Sequence, residues 1–395
     1  MIGPGCGVSR RAAVLLAAVG TVLAALLAGC AQFPDAGQQP WRERPDLGAE
    51  RAPQPQLPET GEPTPAPNSG PPSTPPPCVD PDPQVVATCL EPLSAIVTLP
   101  GGAAALVAER TTGRILRVAP DEEPETVATV PVTAAGDGGL TSIALSPSYA
   151  EDQLVYAYAT TAGGNAVMRV APGDVPKTVL GGIPSGPSGN SGAIGVESDG
   201  TLLVATGDGG DRAAAASPTS LAGKLLRIDP FGRPARGTPN PTSPVVGSGL
   251  HAPGDVCADP TTGVSWVTDQ AGPRDVLLAV RPGEAPGANA ATSPAWTWPD
   301  RPGVAGCAAL PGTLVVGLEG SSAMFVLRPT PQGSFVGNPQ SVLAGTYGRI
   351  TGTDVASDGL IWFTTANKGG GGPVTPTDDR VVRIRPPSGG ASGAD

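Results

Sequence analysis

The sequence predicts an all-β protein, a six-bladed β-propeller, because a short apolar strand recurs six times at nearly even spacing. When one residue of each strand is taken as equivalent, the steps are 49, 48, 63, 49 and 47 residues. A repeat of about 45–50 residues built from short strands is typical of a propeller, with one four-stranded blade per repeat. The six reference residues are Leu106, Val155, Leu203, Trp266, Val315 and Trp362.

A further strand follows each of these six. In several of them, such as 113–118 and 380–384, apolar and polar side chains alternate as in a half-buried strand. The one long step results from insertions at 207–222 and 229–248, which are rich in Gly, Pro, Ser and Asp. Loops of this length are usually functional or mobile. We expect the propeller to occupy residues 78–387.

Residues 1–29 predict a lipoprotein signal peptide. Arg10 and Arg11 form a charged segment, residues 12–28 are apolar, and the sequence Leu-Ala-Gly-Cys ends at Cys30. Small residues before a cleavage site, followed directly by cysteine, are what signal peptidase and lipid transfer require. We therefore expect Cys30 to be lipidated on the extracytoplasmic face of the cell membrane. The alternative is a transmembrane anchor, and both Sec and Tat export remain open.

The segment 30–77, which begins at the lipidated cysteine, predicts a disordered tether. It is rich in Pro and poor in aliphatic residues. Such a chain buries too little apolar surface to fold and favours extended conformers. The last residues, 388–395, predict a disordered tail.

The charge balance limits the partners. The formal net charge is −11, from 24 Lys and Arg against 35 Asp and Glu, and loss of Arg10 and Arg11 makes it more negative. This argues against nucleic acid and against anionic lipid headgroups. We expect a monomer that contacts the membrane only through its lipid anchor.

Four cysteines remain after Cys6 and Cys30 are set aside, an even number in an oxidising compartment. Three pairings are possible. Cys257 and Cys307 occupy equivalent places in adjacent repeats, which favours a bridge between them and leaves Cys78 to pair with Cys89. A zinc site is the rival interpretation, but the chain has one His and no Cys-x-x-Cys pair.

Three phrases resemble the glucose/sorbosone dehydrogenase family. They are Gly138–Pro147 (GGLTSIALSP), Asp199–Asp211 (DGTLLVATGDGGD) and Leu221–Pro230 (LAGKLLRIDP). The resemblance runs through about 95–386 and implies a six-bladed propeller that oxidises sugars with pyrroloquinoline quinone (PQQ) and calcium. With the cysteine at the signal peptide's end and the Pro-rich segment, the chain also resembles the LppZ-type lipoproteins of actinobacteria.

The family's catalytic base is missing at the matching position. In the family a histidine opens a His-x-Gly/Ser-Gly-Arg phrase, and it takes a proton from the sugar hydroxyl. The matching stretch begins at Gly189 and Asn190, and Ala193 stands where the arginine would be. We assign Gly189 and Asn190 to the ligand site that the resemblance implies.

The family's cofactor contacts are also altered. Asp137 replaces a Gln, and a carboxylate there would repel the PQQ tricarboxylate. In the phrase Gly-x-Arg-Asn-Pro, His251 takes the place of the arginine. The last-blade phrase, which runs to Asp354, keeps Arg349 as one arginine of two. The region whose carbonyls bind calcium in the family reads Trp296–Pro299, and carbonyls survive substitution.

Each candidate also has a structural interpretation. His251 is the only His, and a loop or core residue with satisfied hydrogen bonds is favoured over a base or ligand. Arg349 either lines the axial pocket or pairs with an Asp across blades. Asp208 and Asp211 are candidate cation ligands in a Gly-rich turn, though such turns usually cap strands. Trp298, like Trp296, either stacks a sugar ring or packs between blades.

Three functions follow from the resemblance. The first is a cell-envelope lipoprotein whose propeller needs no cofactor and binds a small polar ligand such as a sugar, a cell-wall component or a protein partner. Asp137, His251, Trp298 and Arg349 would line its pocket. The second is a PQQ-dependent oxidoreductase acting on the CH–OH group of aldoses, with His251 as a substitute base. The third is a purely structural wall-spanning protein.

Overall fold

The computed structural model describes residues 78–286, 293–370 and 373–387. The predicted signal peptide at 1–29, the lipidation at Cys30, the tether at 30–77 and the tail at 388–395 lie outside these ranges. Within them, no helix has the length and apolar character needed to cross a bilayer.

Six four-stranded antiparallel sheets make up the described part of the chain. Blade 1 contains β2 (Leu93–Thr98), β3 (Ala105–Glu109), β4 (Arg114–Val118) and β5 (Glu125–Thr129). Blade 2 contains β6 (Leu140–Leu145), β7 (Val155–Thr161), β8 (Gly164–Val170) and β9 (Lys177–Ile183). Blade 3 contains β10 (Gly192–Val196), β11 (Leu202–Thr206), β12 (Lys224–Ile228) and β13 (Val245–Ser248).

The remaining blades complete the ring. Blade 4 contains β14 (Pro253–Ala258), β15 (Ser265–Gln270), β16 (Asp275–Val280) and β17 (Trp296–Trp298). Blade 5 contains β18 (Val304–Leu310), β19 (Thr313–Leu318), β20 (Ala323–Leu327) and β21 (Gln340–Val342). Blade 6 contains β22 (Ile350–Val355), β23 (Ile361–Thr365) and β24 (Val381–Ile384), and β1 (Val85–Ala87) is its fourth strand. The prediction of six blades is confirmed.

The strand that recurs in the sequence is the second strand of every blade. β3, β11 and β23 are buried along their whole length. Each is paired on both edges within its own sheet and covered on both faces by neighbouring blades. A strand enclosed in this way reads as a continuous apolar run, which explains why the repeat is so clear in the sequence.

The first blade and the last are joined by the start of the domain. β1 adds to β24 in antiparallel register, with Val85 opposite Val382. The carboxylate of Asp80 lies 2.9 Å from Nε of Arg380, and the Tyr347 hydroxyl donates to Asp82 at 2.7 Å. The last sheet is therefore built from both ends of the domain.

Both predicted disulfides are present. Cys78 and Cys89 have their Cα atoms 5.3 Å apart, and Cys257 and Cys307 have theirs 5.7 Å apart. Cys257 lies on β14 and Cys307 on β18, the innermost strands of adjacent blades. The equivalence of the two positions in the repeat is what places them within bridging distance.

Two short helices interrupt the blades. Helix α1 (Tyr149–Asp152) lies in blade 2, and α2 (Arg212–Ala216) lies in blade 3 between β11 and β12. The loop from Ile228 to Val245 in the same blade accounts for the rest of the long step. The sequence analysis placed the two insertions at 207–222 and 229–248, which agrees with these positions in blade 3.

Midway along the axis, the innermost strands of neighbouring blades come within backbone contact of each other. We call this constriction, at Gly306 and Gly352, the glycine waist. A Cβ at Gly352 of β22 would lie 2.8 Å from the backbone nitrogen of Ile96 on β2. A Cβ at Gly306 of β18 would overlap backbone atoms of Thr351 and Thr353 on β22. Only glycine allows strands to approach so closely. Cavities lie at both ends of the six innermost strands; we call the one where the strands begin the upper cavity and the other the lower cavity.

Candidate ligand site at the upper end of the axis

The upper cavity has a volume of about 340 Å³ and is lined by all six blades. This is within the range of small-molecule sites. Its wall is formed where the innermost strands begin, and hydroxyl groups there also hold the blades together. Ser94 donates to the carbonyl of Leu140 at 2.6 Å, for example, and Thr351 to that of Leu93 at 2.8 Å.

The charges of the upper cavity are balanced. Arg349 of blade 6 forms an ion pair with Glu319 of blade 5, and both side chains are about 29% exposed. Arg110 of blade 1 donates to the carbonyls of Gly136 and Gly138 at 3.1 and 3.0 Å. With Asp137, the lining has two guanidinium groups and two carboxylates. Arg349 thus both lines the pocket and pairs across blades, although its partner is Glu319 where an Asp was expected.

Asp137 lines the cavity and also orders the loop beside it. Its carboxylate accepts the amide of Gly189 at 2.7 Å and that of Asn190 at 3.2 Å. Asn190 is buried and closes the same loop, donating to the carbonyl of Gly186 at 2.7 Å. The structure therefore brings Asp137, Gly189 and Asn190 together, although of the three only Asp137 lines the cavity. Much of the carboxylate's accepting capacity is used by the loop.

Gly189 has little room for a side chain. Its φ is +66°, and a Cβ would lie 2.5 Å from Oδ1 of Asp208. Most residues are strained in this backbone region, and the carboxylate occupies the space. A histidine at this position would require the loop to move.

His251 lies beside this loop and pairs with Asp208. Its Nδ1 is 2.6 Å from Oδ2 of Asp208, and the amide of Asp208 donates to the His251 carbonyl at 2.9 Å. Asp208 is buried, whereas the imidazole is 25% exposed. His251 is adjacent to Ala252 and Pro253, which line the cavity. The two residues are 43 positions apart, Asp208 in a loop of blade 3 and His251 in the connection from blade 3 to blade 4.

A second carboxyl supports the backbone of His251. Asp269, at the end of β15, accepts the amide of His251 at 3.1 Å and that of Ala252 at 2.8 Å. Burial raises the pKa of Asp269 to about 6, although these amides act in the opposite direction. The loop that carries His251 is thus held at both its side chain and its main chain.

Two predicted site residues lie elsewhere, and their assignment to this pocket is corrected. Trp298 is on the outermost strand of blade 4 and packs edge-on against Phe325, with ring centroids 5.4 Å apart. Asp354 lines the lower cavity, because it follows the Gly352 waist along β22. Trp298 therefore packs between blades 4 and 5, which was the structural alternative for this residue.

Asp208 and Asp211, the candidate cation ligands, both have protein partners. Asp211 accepts the amides of Ala213 and Ala214 and so caps the N-terminus of α2. Asp208 accepts the amide of Gly210 at 2.8 Å in addition to its contact with His251. Among the residues that the structure describes, no three His, Cys, Asp or Glu side chains are grouped as a metal site would need. Cation binding stays a prediction.

Seven polar residues of the upper cavity were missed by sequence reasoning, and three of them have long or charged side chains. Arg110, Gln270 and Glu319 stand at the C-terminal end of β3, β15 and β19 or directly after it. The signal was present, because these strands are the ones that recur in the sequence. In three of the six recurring strands, the polar residue at or after the end of the strand lines the cavity.

The fold and this site define a six-bladed propeller with an axial polar pocket. The sequence profile of the family described as Glucose / Sorbosone dehydrogenase matches residues 90–372. The chain therefore belongs to the glucose/sorbosone dehydrogenase family. A search among curated proteins found no significant match.

Solved structures agree with this assignment. The PQQ-bound aldose sugar dehydrogenase of Streptomyces coelicolor shows 30% identity and a TM-score of 0.69, covering 76% of this chain and 96% of that one. An oxidoreductase (glucose dehydrogenase) of Thermus thermophilus shows 30% identity and a TM-score of 0.67, with coverages of 76% and 98%. The soluble aldose sugar dehydrogenase of Escherichia coli, at 18% identity, a TM-score of 0.64 and coverages of 76% and 99%, shares the fold.

Proposed function

We propose that the upper cavity binds an uncharged polar ligand such as a sugar, and that the chain does not oxidise it. The observation that carries this proposal is the charge balance of the lining, in which Arg349 is already paired with Glu319. Paired charges offer both donors and acceptors to hydroxyl groups, which is what a sugar presents. The structural neighbour from Streptomyces coelicolor is a sugar dehydrogenase, which supports the ligand class.

PQQ does not fit the residues present. It is a tricarboxylate, so a site for it needs unpaired positive charge. Here Glu319 neutralises Arg349, and Asp137 contributes a further carboxylate to the lining. The function proposed for this cavity therefore includes no step that uses PQQ.

Gly189 supports a binding role as well. It offers no proton acceptor where the family has its histidine, and the carboxylate of Asp208 leaves no space for one. A propeller that has lost this base and kept a polar axial pocket retains the means to hold a ligand.

Calorimetric titration of the full chain tests the proposal. We expect an aldose to bind and PQQ, with or without calcium, not to bind at micromolar concentration. A dye-linked assay should show no turnover. The variant Arg349→Ala should weaken sugar binding, whereas Lys177→Ala, an exposed residue of outer strand β9, should leave it unchanged. Micromolar PQQ binding with turnover of the aldose would overturn the proposal.

Sugar oxidation is the second candidate, favoured by the contact between His251 and Asp208. A histidine oriented by a buried carboxylate is the arrangement of a general base. If the assay with PQQ and calcium shows turnover, loss of turnover in both His251→Ala and Asp208→Asn would assign the base to this pair. Turnover that survives His251→Ala would exclude it.

We propose that the protein acts at the extracytoplasmic face of the cell membrane, as a monomer anchored through a lipid on Cys30. The support is the sequence of residues 1–30 and the two disulfides, which are typical of exported proteins. Mass spectrometry of the mature N-terminus and fractionation of Cys30→Ser test this. The variant should leave the membrane fraction; retention there would indicate a transmembrane anchor.

A further inference from the structure

The two disulfides differ in how far solvent reaches them. Cys78 is exposed and Cys89 is half-buried, whereas Cys257 is half-buried and Cys307 is buried. Thiol–disulfide exchange requires an attacking thiolate to reach a sulfur atom, so an exposed bridge is the more labile one. We therefore expect a reductant to open the bridge between Cys78 and Cys89 first.

The exposed bridge holds the start of the domain against blade 6. We call residues 78–90, which include β1, the closing segment; the bridge joins its first residue to its last but one. After β1, this segment binds the loop between β23 and β24. The amide of Cys89 donates to the carbonyl of Thr377 at 3.3 Å, and Leu90 and Asp379 exchange two backbone hydrogen bonds at 3.2 and 3.1 Å.

Asn367, in the same loop, holds the backbone beside the upper cavity. Its Oδ1 accepts the amide of Arg349 at 2.8 Å, and its Nδ2 donates to the carbonyl of Tyr347 at 2.9 Å. Asn367 is itself fixed, because its amide donates to the carboxylate of Asp379 and its Nδ2 also donates to that of Asp378 at 2.8 Å. A continuous series of hydrogen bonds therefore joins the closing segment to the cavity arginine.

The closing segment also holds the chain just before Arg349. The hydroxyl of Tyr347 donates to Asp82 at 2.7 Å. Gly348, the residue between Tyr347 and Arg349, has φ of +88°, and a Cβ there would lie 2.1 Å from Oδ1 of Asn367. The position of Arg349 thus depends on the closing segment in two ways, through Tyr347 and through Asn367.

We propose that the closing segment positions Arg349 for ligand binding, and that opening the bridge between Cys78 and Cys89 weakens the hold of the upper cavity on its ligand. This inference rests on the proposed function, in which Arg349 and Glu319 contact the sugar. The reductant is a dithiol, which gives two electrons and two protons to the bridge; its own sulfurs form a disulfide, and the two cysteines become thiols. Without the bridge the segment detaches more readily, so Arg349 spends less time in the geometry that binds.

Calorimetry of the full chain with an aldose, before and after mild treatment with a dithiol, tests the proposal. Alkylation followed by mass spectrometry identifies the bridge that has opened. We expect the bridge between Cys78 and Cys89 to open first and the affinity for the aldose to fall about fivefold. Earlier opening of the bridge between Cys257 and Cys307, or an unchanged affinity once Cys78 and Cys89 are thiols, would overturn the proposal.

Two variants test the positioning without a reductant. The double variant Cys78→Ser, Cys89→Ser should bind the aldose as weakly as the reduced native chain and should not respond to the dithiol. Tyr347→Phe keeps the ring but loses the contact with Asp82, and it should weaken binding about threefold. The matched control is Tyr149→Phe on α1 of blade 2, which should have no effect. Equal affinity of Tyr347→Phe and its control, or a double variant that binds as tightly as the oxidised native chain, would contradict the proposal.

Hydrogen exchange distinguishes failure of the positioning role from failure of the proposed sugar binding. The amide of Arg349, which is bonded to Asn367, should exchange about fivefold faster once the bridge is open. The amides of Gly189 and Asn190, which are bonded to Asp137, should exchange at an unchanged rate. This measurement needs no ligand, so it tests the positioning even if no aldose binds. Exchange that rises equally at both places, or at neither, would overturn the positioning role.

Discussion

The two ends of the propeller axis are built from the same six strands but differ in charge. At the upper end, Arg349 and Glu319 pair between blades, and two positive charges balance two negative ones. At the lower end, the half-buried Asp255 and Asp354 line a cavity whose wall contains no basic side chain. A propeller axis therefore provides two separate cavities, and the charge of one end does not predict that of the other.

The glycine waist is what separates the two ends. Gly306 and Gly352 let β18, β22 and β2 approach within backbone contact distance. Because the strands meet there, residues before the waist line one cavity and residues after it line the other.

Gly306→Ala should destabilise the fold by about 3 kcal/mol, because a methyl group would overlap backbone atoms of Thr351 and Thr353. The control is Gly181→Ala on β9, where the nearest atom to a Cβ is a methyl group of Thr178 at 3.5 Å. Urea unfolding measures both. Equal stability of the two variants would mean that the strands at the glycine waist are further apart than the Cβ distances indicate.

Asp255→Asn should remove part of the pH dependence of stability. The pKa of Asp255 is about 7 in the folded state and near 3.8 without burial. Between these values the folded state holds a proton that the unfolded state has released, so this group stabilises the fold more as pH falls.

We therefore expect the free energy of unfolding of the native chain to gain, from this group, on the order of 2 kcal/mol between pH 7 and pH 5. Asn cannot titrate, so the variant should lack that gain. Urea melts of both chains at the two pH values measure it. If the free energy of unfolding changes with pH equally in both chains, the Asp255 carboxylate is ionised in the folded state and its charge is compensated there.

Glu319→Gln should convert the upper cavity into an anion site. The substitution frees Arg349 from its ion pair and leaves a net positive charge in the lining. We expect the affinity for a tricarboxylate such as citrate to rise roughly tenfold at low salt. Calorimetry at two salt concentrations measures this. An unchanged affinity would mean that the guanidinium is held by other contacts.

Asp211→Ala should cost about 1 kcal/mol, because α2 loses the side chain that accepts the amides of Ala213 and Ala214. Thermal unfolding with and without a chelator measures it. The loss should be the same in both conditions if Asp211 acts only as a cap. If the chelator destabilises the native chain but not the variant, Asp211 binds a cation, as the sequence analysis predicted.

The blade count and the second strands were predictable because they depend on a pattern that burial enforces. Leu203 and Trp362 are enclosed on every side, so their strands contain no surface residues to obscure the repeat. β1 was not predictable in the same way. It has three residues, and its partner β24 is nearly 300 positions away, so local pattern carries no signal for the pairing.

The site was predicted only in part, for a geometric reason. The family phrases located Asp137, Gly189, Asn190, His251 and Arg349, all of which lie at or beside the upper cavity. They misplaced Asp354. This residue is two positions after Gly352 on β22, so it lies beyond the glycine waist and lines the lower cavity. The contact of His251 with Asp208 joins two loops that are 43 positions apart in sequence, and only the three-dimensional structure could bring them together.

The pairing of β1 with β24 also affects how the protein is made. The last sheet needs residues 85–87 from near the start of the domain and residues 381–384 from near its end. During synthesis the early strand has no partner until almost the whole chain has left the ribosome, so the ring closes as one of the last events of folding. A truncation that removes only β24 should therefore leave two exposed strand edges and a product prone to aggregation.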